Sequence, residues 1–458
     1  MASEALPGSF RDPSGFLFLR EGVLYRQVNP AYAEDYEHLK RSGLYESLAE
    51  DGKLVRHEEA SSDASTGAFR ILRPERIPFV SYPYEWCFGQ LKAAAELTLE
   101  IARKALGFGM CLKDASAYNI QFRGALPILI DTLSFRRLVP GEPWVAYRQF
   151  CQHFLAPLAV MAHRDARLSQ LLRVYIDGLP LDLASELLPT RTRLSFGLLT
   201  HLHMHARSQQ RHESDAALPP SRRQMGKYGL VALLDSLQSV VSGLSWQGSG
   251  GGWADYYGHT NYSEGAREEK LRIVGGILSE AAPRTVWDLG ANTGLYSEAA
   301  ARAGAYTIAF DYDAAAVERH YRRCLDRKEP RILPLVLDLS NPSGGTGWAN
   351  RERASLSERG PADLTLALAL IHHLAIGNNV PFERIAEFLA GTGRTLVIEF
   401  VPKDDSQVQR MLATREDVFA EYTADSFERA FARHFRMVSK SPIRESGRTI
   451  YRLEQRRS

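Results

Sequence analysis

The stretch RTVWDLGANTGLYSEAA, residues 284 to 300, constrains the fold more than any other part of the chain. An apolar run, TVWDL, leads straight into a turn holding Asp288, Gly290, Asn292 and Gly294, and a helical pattern follows without a spacer. A turn that only redirects the chain needs one or two such residues, so this crowding points to a ligand. Gly290 and Gly294 let the main chain approach that ligand and adopt torsions a side chain disfavours. The helix N-terminus turns unpaired N–H groups toward a polar or anionic group. Strand, glycine turn and helix in this order open a doubly wound sheet, which binds its ligands at the carboxyl edge.

The alternation continues downstream. YTIAFDYD reads as a strand ending in Asp311, with Asp313 two residues on, and ILPLVLDLS as a strand ending in Asp338. DLTLALAL runs into Ile371, His372 and His373, and TLVIEFVPKDD carries Glu399 near its end. Strands and helices alternating from about residue 254 predict an open, mostly parallel sheet. A carboxylate at the second strand's end suits both hydroxyls of a ribose, and one at the third strand's end suits an adenine amino group. Gly290, Asn292 and Gly294 do not have the Gly-x-Gly-x-x-Gly spacing of dinucleotide sites, which argues against a nicotinamide enzyme.

VWDLGANTG, of the form Asp/Glu-x-Gly-x-x-x-Gly, and AFDYD resemble the first two motifs of the class I S-adenosylmethionine-dependent methyltransferases. The resemblance covers roughly residues 270 to 458 and includes the pair FRMVSKSPI and RTIYRLEQ, where that family places its antiparallel edge. It implies an α/β fold with a Rossmann-like seven-stranded sheet and S-adenosyl-L-methionine as cofactor. It puts Asp288 near the methionine portion, Gly290, Asn292 and Gly294 along the cofactor, Asp311 on the ribose and Asp338 on the adenine. Asp313 replaces Asp311 if the strand ends later. A doubly wound domain that has lost its cofactor, or that binds another nucleoside, is the alternative. Just upstream, WADYYGHTNYSEGAREEK carries Trp253, Tyr256, Tyr257 and Tyr262 where related enzymes have a lid over the cofactor; packing of a linker is the competing explanation.

A sulfonium methyl is already activated, so the main task is to align an acceptor lone pair with the S–CH₃ bond, worth ~7–11 kcal/mol. A base is needed only where the acceptor sheds a proton. His372, His373 and Glu399 are the candidates, a neutral imidazole being a suitable base near pH 7. The alternative for the histidines is that one caps the next helix and the other packs. The chain lacks an Asn/Asp-Pro-Pro-Tyr/Phe motif after the fourth strand, which weakens an adenine or glutamine acceptor. Small molecules, saccharides, lipid oxygens, protein side chains and RNA stay open as acceptors. IEFVPKDDSQVQRML also looks similar to methyltransferases associated with rhizobial nodulation proteins, where a signalling oligosaccharide would be the acceptor; no substrate is carried over from it.

The first part of the chain reads differently. GFLFLREGVLYRQV predicts two strands around Glu21-Gly22, AEDYEHLKRSGLYESLAEDG a helix broken near Gly43, and GQLKAAAELTLEIARKALGFG a longer helix stopped by Gly107 and Gly109. In LKDASAYNIQFRGALPILIDTLSF, Asp114 stands five residues before Asn119, and Asp131 follows the strand PILI. This resembles the catalytic loop and metal-binding aspartate of protein kinases and aminoglycoside-phosphotransferase-like enzymes, in which the first Asp orients the acceptor hydroxyl while the Asn and second Asp hold magnesium. The chain departs from that pattern upstream: it has no Gly-x-Gly-x-x-Gly loop, Arg26 stands near the nucleotide lysine's position, and Asp131 is followed by Thr-Leu. Three readings compete: a degenerate kinase-like fold for recruitment or nucleotide sensing, chance spacing in an unrelated α+β domain, and an active phosphotransferase. His201 and His205 share a helical face, but no carboxylate or cysteine joins them at ligand spacing, so no metal site is assigned.

The 458 residues suffice for two or three domains, with 45% hydrophobic and 24% charged residues to build soluble cores. The expected division is residues 1–212, an α+β kinase-like domain; 213–253, a linker and helix; and 254–458, the methyltransferase domain. The net charge of +2, without a basic stripe, makes nucleic acid an improbable partner without excluding it. Four cysteines without paired spacing fit a reducing compartment. With neither a signal-like N-terminus nor an ~18-residue apolar run, the expectation is a cytoplasmic two-domain enzyme with no membrane partner and an unidentified methyl acceptor. A phosphotransferase or a non-catalytic nucleotide-binding scaffold is the alternative function.

Overall fold

The computed structural model describes residues 4–60, 67–206, 224–246, 263–413 and 415–456. The chain forms two compact units, one of Met1–Gln247 with Gly345–Arg353, the other of Gly248–Gly344 with Ala354–Ser458.

In the first unit, strands β1 (Glu4–Ala5), β2 (Gly15–Arg20), β3 (Val23–Val28), β4 (His57–Ala60) and β5 (Arg70–Pro74) form an antiparallel sheet in the order β1-β2-β3-β5-β4. The β2–β3 hairpin turns on Glu21 and Gly22, both with positive φ, as a two-residue loop between twisted strands requires. The helix Ala33–Arg41 gives way to Leu44–Glu50 at Gly43, whose φ of 82° breaks the helix. Phe88–Gly107 is a 20-residue helix with Leu91, Ala94, Ala95, Thr98, Ile101 and Ala102 on its buried side. After it, β6 (Met110–Leu112) pairs with β9 (Phe135–Arg137) and β7 (Ile120–Arg123) with β8 (Leu126–Leu129). The β6–β7 connection carries Asp114 and Asn119, and Asp131 follows β8.

The helix Lys227–Gly243 also belongs to this unit, burying Leu230, Leu234, Leu237 and Val241 at helical spacing. The Lys92 ammonium on Phe88–Gly107 donates to the Ser242 and Leu244 carbonyls at its end, each at 2.8 Å. Within the same unit, the Glu352 carboxylate accepts Arg11 Nε at 2.9 Å, and the Arg353 guanidinium lies 4.1 Å over the Tyr118 ring. His201 bonds the Tyr147 and Ser236 hydroxyls and His203 those of Ser185 and Thr192, so these imidazoles are tied into the fold by hydroxyl groups.

The second unit is built on a seven-stranded sheet. Its strands are β10 (Thr285–Leu289), β11 (Tyr306–Asp311), β12 (Ile332–Val336), β13 (Ala362–Ala367), β14 (Gly393–Phe400), β15 (Phe435–Pro442) and β16 (Thr449–Gln455), ordered β12-β11-β10-β13-β14-β16-β15. β10 to β14 run parallel, β16 is antiparallel to β14, and β15 is antiparallel to β16. Runs such as VWDL and IAFD are buried throughout, as strands covered on both faces must be. Val274 and Leu278 of the helix Glu264–Ala281 pack with Val286, Leu364, Leu366, Val397 and Ile450 as the core of one face. The chain leaves β10 toward β11 and β12, then returns to the other side of β10 as β13. The carboxyl ends of β10 and β13 therefore border the crevice at the point where strand order reverses.

Candidate active site

A cavity of about 370 Å³ opens at that crevice. Asp288, Gly290, Asn292, Asp311 and Asp338 line it, with Leu368, Leu370 and Leu374 as an apolar wall and His373 beside them. Three successive strands of the sheet thus bring one acid each to a common edge.

Asp288 ends β10 with 2% exposure and accepts the Ser297 hydroxyl at 2.6 Å. Burial is the dominant influence on its carboxyl and pushes it up to about 6. Asp311 is clamped by main chain: the Asn292 N–H donates to Oδ2 at 2.7 Å and the Asp313 N–H to Oδ1 at 2.9 Å. Those donors favour the charged form, yet burial outweighs them and Asp311 also rises to about 6. The Tyr312 main chain donates in the same sense. Asp313 caps the helix Ala314–Asp326 through the Ala315 N–H and is not among the lining residues. Asp338 is exposed, and its Oδ1 takes the Ser340 N–H and hydroxyl at 2.8 and 2.6 Å.

The turn itself is held by the Gly290 and Ala291 N–H groups, which both donate to the Phe310 carbonyl at 2.9 Å. Gly290 has φ of 77° and faces the cavity; a Cβ there would touch Leu370 at 3.5 Å. Gly294 has another role. It is not a lining residue, and a Cβ on it would stand 2.0 Å from the buried His320 ring, so glycine is required for packing under the turn.

His372 and His373 have ring centroids 4.2 Å apart, but only His373 lines the cavity. Burial drives both imidazoles down, His373 to about 4 and His372 well below its ordinary range, so both are neutral at pH 7. His372 is fully buried. Glu399 does not reach the cavity. It is fully buried and accepts Lys270 Nζ at 2.6 Å, the Ala369 N–H at 2.8 Å and Arg448 Nη1 at 3.5 Å. A carboxylate so placed is committed to Lys270, the Ala369 N–H and Arg448 and does not meet the acceptor. Tyr262, with Trp253, Tyr256 and Tyr257, lies outside the described residues.

Sequence reasoning missed Arg267, Lys270 and Tyr312, all of which line the cavity. Arg267 and Lys270 stand in EGAREEKLRI, a charge-rich run that looks like a solvated helix face. Only the turn-by-turn spacing of the two cations gave a signal. The residues fit S-adenosylmethionine: acids stand at the ends of adjacent strands, the main chain is bare at Gly290, and the cavity has both polar and apolar walls.

In the first unit, Asp114, Asn119 and Asp131 come together, but their donor set does not fit magnesium. Asp131 Oδ1 pairs with Arg26 Nη2 at 2.5 Å and takes the Leu133 N–H at 3.0 Å, while Oδ2 takes the Ser134 hydroxyl at 2.5 Å. Asn119 donates its amide to Ser134 Oγ at 3.2 Å, and Asp114 Oδ1 accepts the Ser116 N–H and the Gln149 amide. Burial raises Asp114, with Asp131 adding to the rise. A guanidinium already stands where a cation would bind.

No family model matches the chain. It is 36% identical to the nodulation protein NoeA of Rhizobium meliloti (strain 1021) over 457 residues, spanning 98% of this chain and 95% of that protein. Among solved structures it is similar to the magnesium protoporphyrin IX methyltransferase of Synechocystis PCC 6803 with bound SAH, at 15% identity and a TM-score of 0.32, over 44% of this chain and 93% of that one. It is also similar to the N-methyltransferase NodS of Bradyrhizobium japonicum WM9, at 12% identity and a TM-score of 0.32, over 43% of this chain and 99% of that one.

Proposed function

Because this chain belongs to the family of the nodulation protein NoeA, and its second unit has the strand order and edge cavity of a class I methyltransferase, we propose that it transfers the methyl group of S-adenosylmethionine to an acceptor that sheds a proton. The observation that carries this reading is the convergence of Asp288, Gly290, Asp311 and Asp338 on one cavity at the switch point of the sheet. Bound S-adenosylmethionine supplies a methyl already activated on sulfur. Asp311, held rigid by two main-chain donors, takes the ribose hydroxyls, and Asp338 takes the adenine amino group. Leu368, Leu370 and Leu374 keep water from the reacting end, and the fixed walls hold the acceptor in line.

Of the three candidate bases His373 is the one that lines the cavity, an imidazole that burial keeps neutral and weakly basic, taking the proton as the acceptor becomes acidic on gaining the methyl. The acceptor class is a small molecule, a saccharide, a protein side chain or RNA. The first unit, with its kinase-like resemblance, serves acceptor selection; the Arg26–Asp131 pair disfavours phosphoryl transfer.

Calorimetry on the full chain tests the reading. Wild type is expected to bind S-adenosylmethionine at micromolar affinity and Gly290→Arg to lose it while staying folded. Absence of binding by folded wild type overturns the proposal. Radiolabelled methyl incorporation from cell extracts, split into protein, RNA, lipid and small-molecule fractions, then identifies the acceptor.

A further inference from the structure

The acids of the cavity stand in strand order, Asp338 after β12, Asp311 at the end of β11 and Asp288 at the end of β10. A ligand with its base at Asp338 and its ribose at Asp311 therefore extends its remaining end past β10. Two cations wait there. Arg267 and Lys270, three residues apart on one face of the helix Glu264–Ala281, both line the cavity. Lys270 is 3% exposed, and its ammonium lies 4.8 Å over the ring of Tyr296, another lining residue. It is fixed from behind by Glu399 at 2.6 Å. Glu399 in turn meets Arg448, which Asp405 holds through two contacts of 2.7 and 3.1 Å.

The charges sort by distance from the cavity. Arg448, Glu399 and Asp405 stand behind the wall, and only Lys270 of this ladder reaches the cavity, beside Asp288 and Arg267. A buried ammonium is costly unless it is paired and hydrogen-bonded. Glu399 supplies that pair from behind, and the Lys270 side chain also lines the cavity. A ligand end bearing both an ammonium and a carboxylate matches this wall, with Asp288 for one and the two cations for the other. An end bearing only an ammonium leaves the cations opposed by another positive group.

We propose that Lys270, assisted by Arg267, is the anchor for the α-carboxylate of the cofactor, and that Glu399 is the positioning residue that holds the Lys270 ammonium in place. The inference rests on the reading of the cavity as an S-adenosylmethionine site. It makes the carboxylate a specificity determinant, separating S-adenosylmethionine from its decarboxylated form, which has the same adenosine, sulfonium and amine.

Calorimetry of the full chain with these two compounds tests it. A charge-assisted anchor predicts that wild type binds S-adenosylmethionine roughly 10- to 100-fold tighter than the decarboxylated compound. Lys270→Met should bring that ratio down to about threefold or less, with the affinity for the decarboxylated compound nearly unchanged. Equal weakening of both ligands would mean that Lys270 only props up the sheet edge, and would overturn the inference. So would a wild type that does not discriminate. If Lys270→Met does not fold, Arg267→Met, at an exposed position, carries the same measurement and should lower the ratio about threefold; an unchanged ratio overturns the proposal. Failure of wild type to bind either compound overturns the methyltransferase reading itself, and the two failures are thereby told apart.

Discussion

Asp288 holds its charge at a cost to the fold. Its carboxyl lies near 6 in the folded chain against an ordinary 3.8, so the folded state binds the proton more tightly than the unfolded state does. The penalty is complete above about pH 6 and vanishes below about pH 4, where both states are protonated. Asp288→Asn is therefore expected to stabilise the ligand-free chain at pH 8 by about 1–3 kcal/mol. The gain should shrink as pH falls from 6 to 4, while S-adenosylmethionine binding weakens. Urea unfolding across this range, beside calorimetry, checks both halves. A variant no more stable than wild type at pH 8 would show that Lys270 and Ser297 fully compensate the buried charge. Such a trade of stability for binding is common at functional sites.

The strand–turn–helix element around Gly294 owes its shape to packing as much as to ligand access. Gly294 combines φ of 86° with the His320 ring 2.0 Å from any added Cβ. Gly294→Ala is expected to cost about 2–4 kcal/mol in chemical denaturation, from left-handed strain plus the clash. Combined with His320→Ala it should lose less than the sum of the singles, by about 1 kcal/mol; strict additivity would place the strain elsewhere. The same element shows what was legible in the sequence. The β10 turn, the acids ending β11 and β12 and the closing β15–β16 pair follow from local patterning, because strands buried on both faces and glycines with positive φ leave sharp signatures. The hairpin at Glu21-Gly22 and the break at Gly43 were legible for the same reason. What local pattern hides is direction. Nothing in LIHHLAI tells which imidazole faces the cavity, and nothing in TLVIEFV tells that Glu399 turns inward to meet Lys270 from a helix more than a hundred residues earlier. Gly294 and Asp313 fit a ligand motif by spacing and turn out to serve helix packing and capping.

Taken whole, the molecule carries two compact units with different chemistry at their polar centres. One offers a cavity lined by bare main chain and three acids; the other has Asp114 and Asp131 already matched by Arg26, Ser134 and Gln149. Differential scanning calorimetry should register this contrast. S-adenosylmethionine at about 100 times its dissociation constant is expected to stabilise the second unit by about 2.7 kcal/mol and leave the first unchanged, while magnesium ATP stabilises neither. A magnesium ATP shift of the first unit would return phosphoryl transfer to consideration. Gly345–Arg353 belongs to the first unit although it lies within the sequence of the second. A shuffling event with one breakpoint, in evolution or on the bench, removes from the front half a piece encoded far downstream, Glu352 with its hold on Arg11 included. Exchange of either half between homologues thus demands two further junctions flanking nine codons, which favours inheritance of the pair as a single gene.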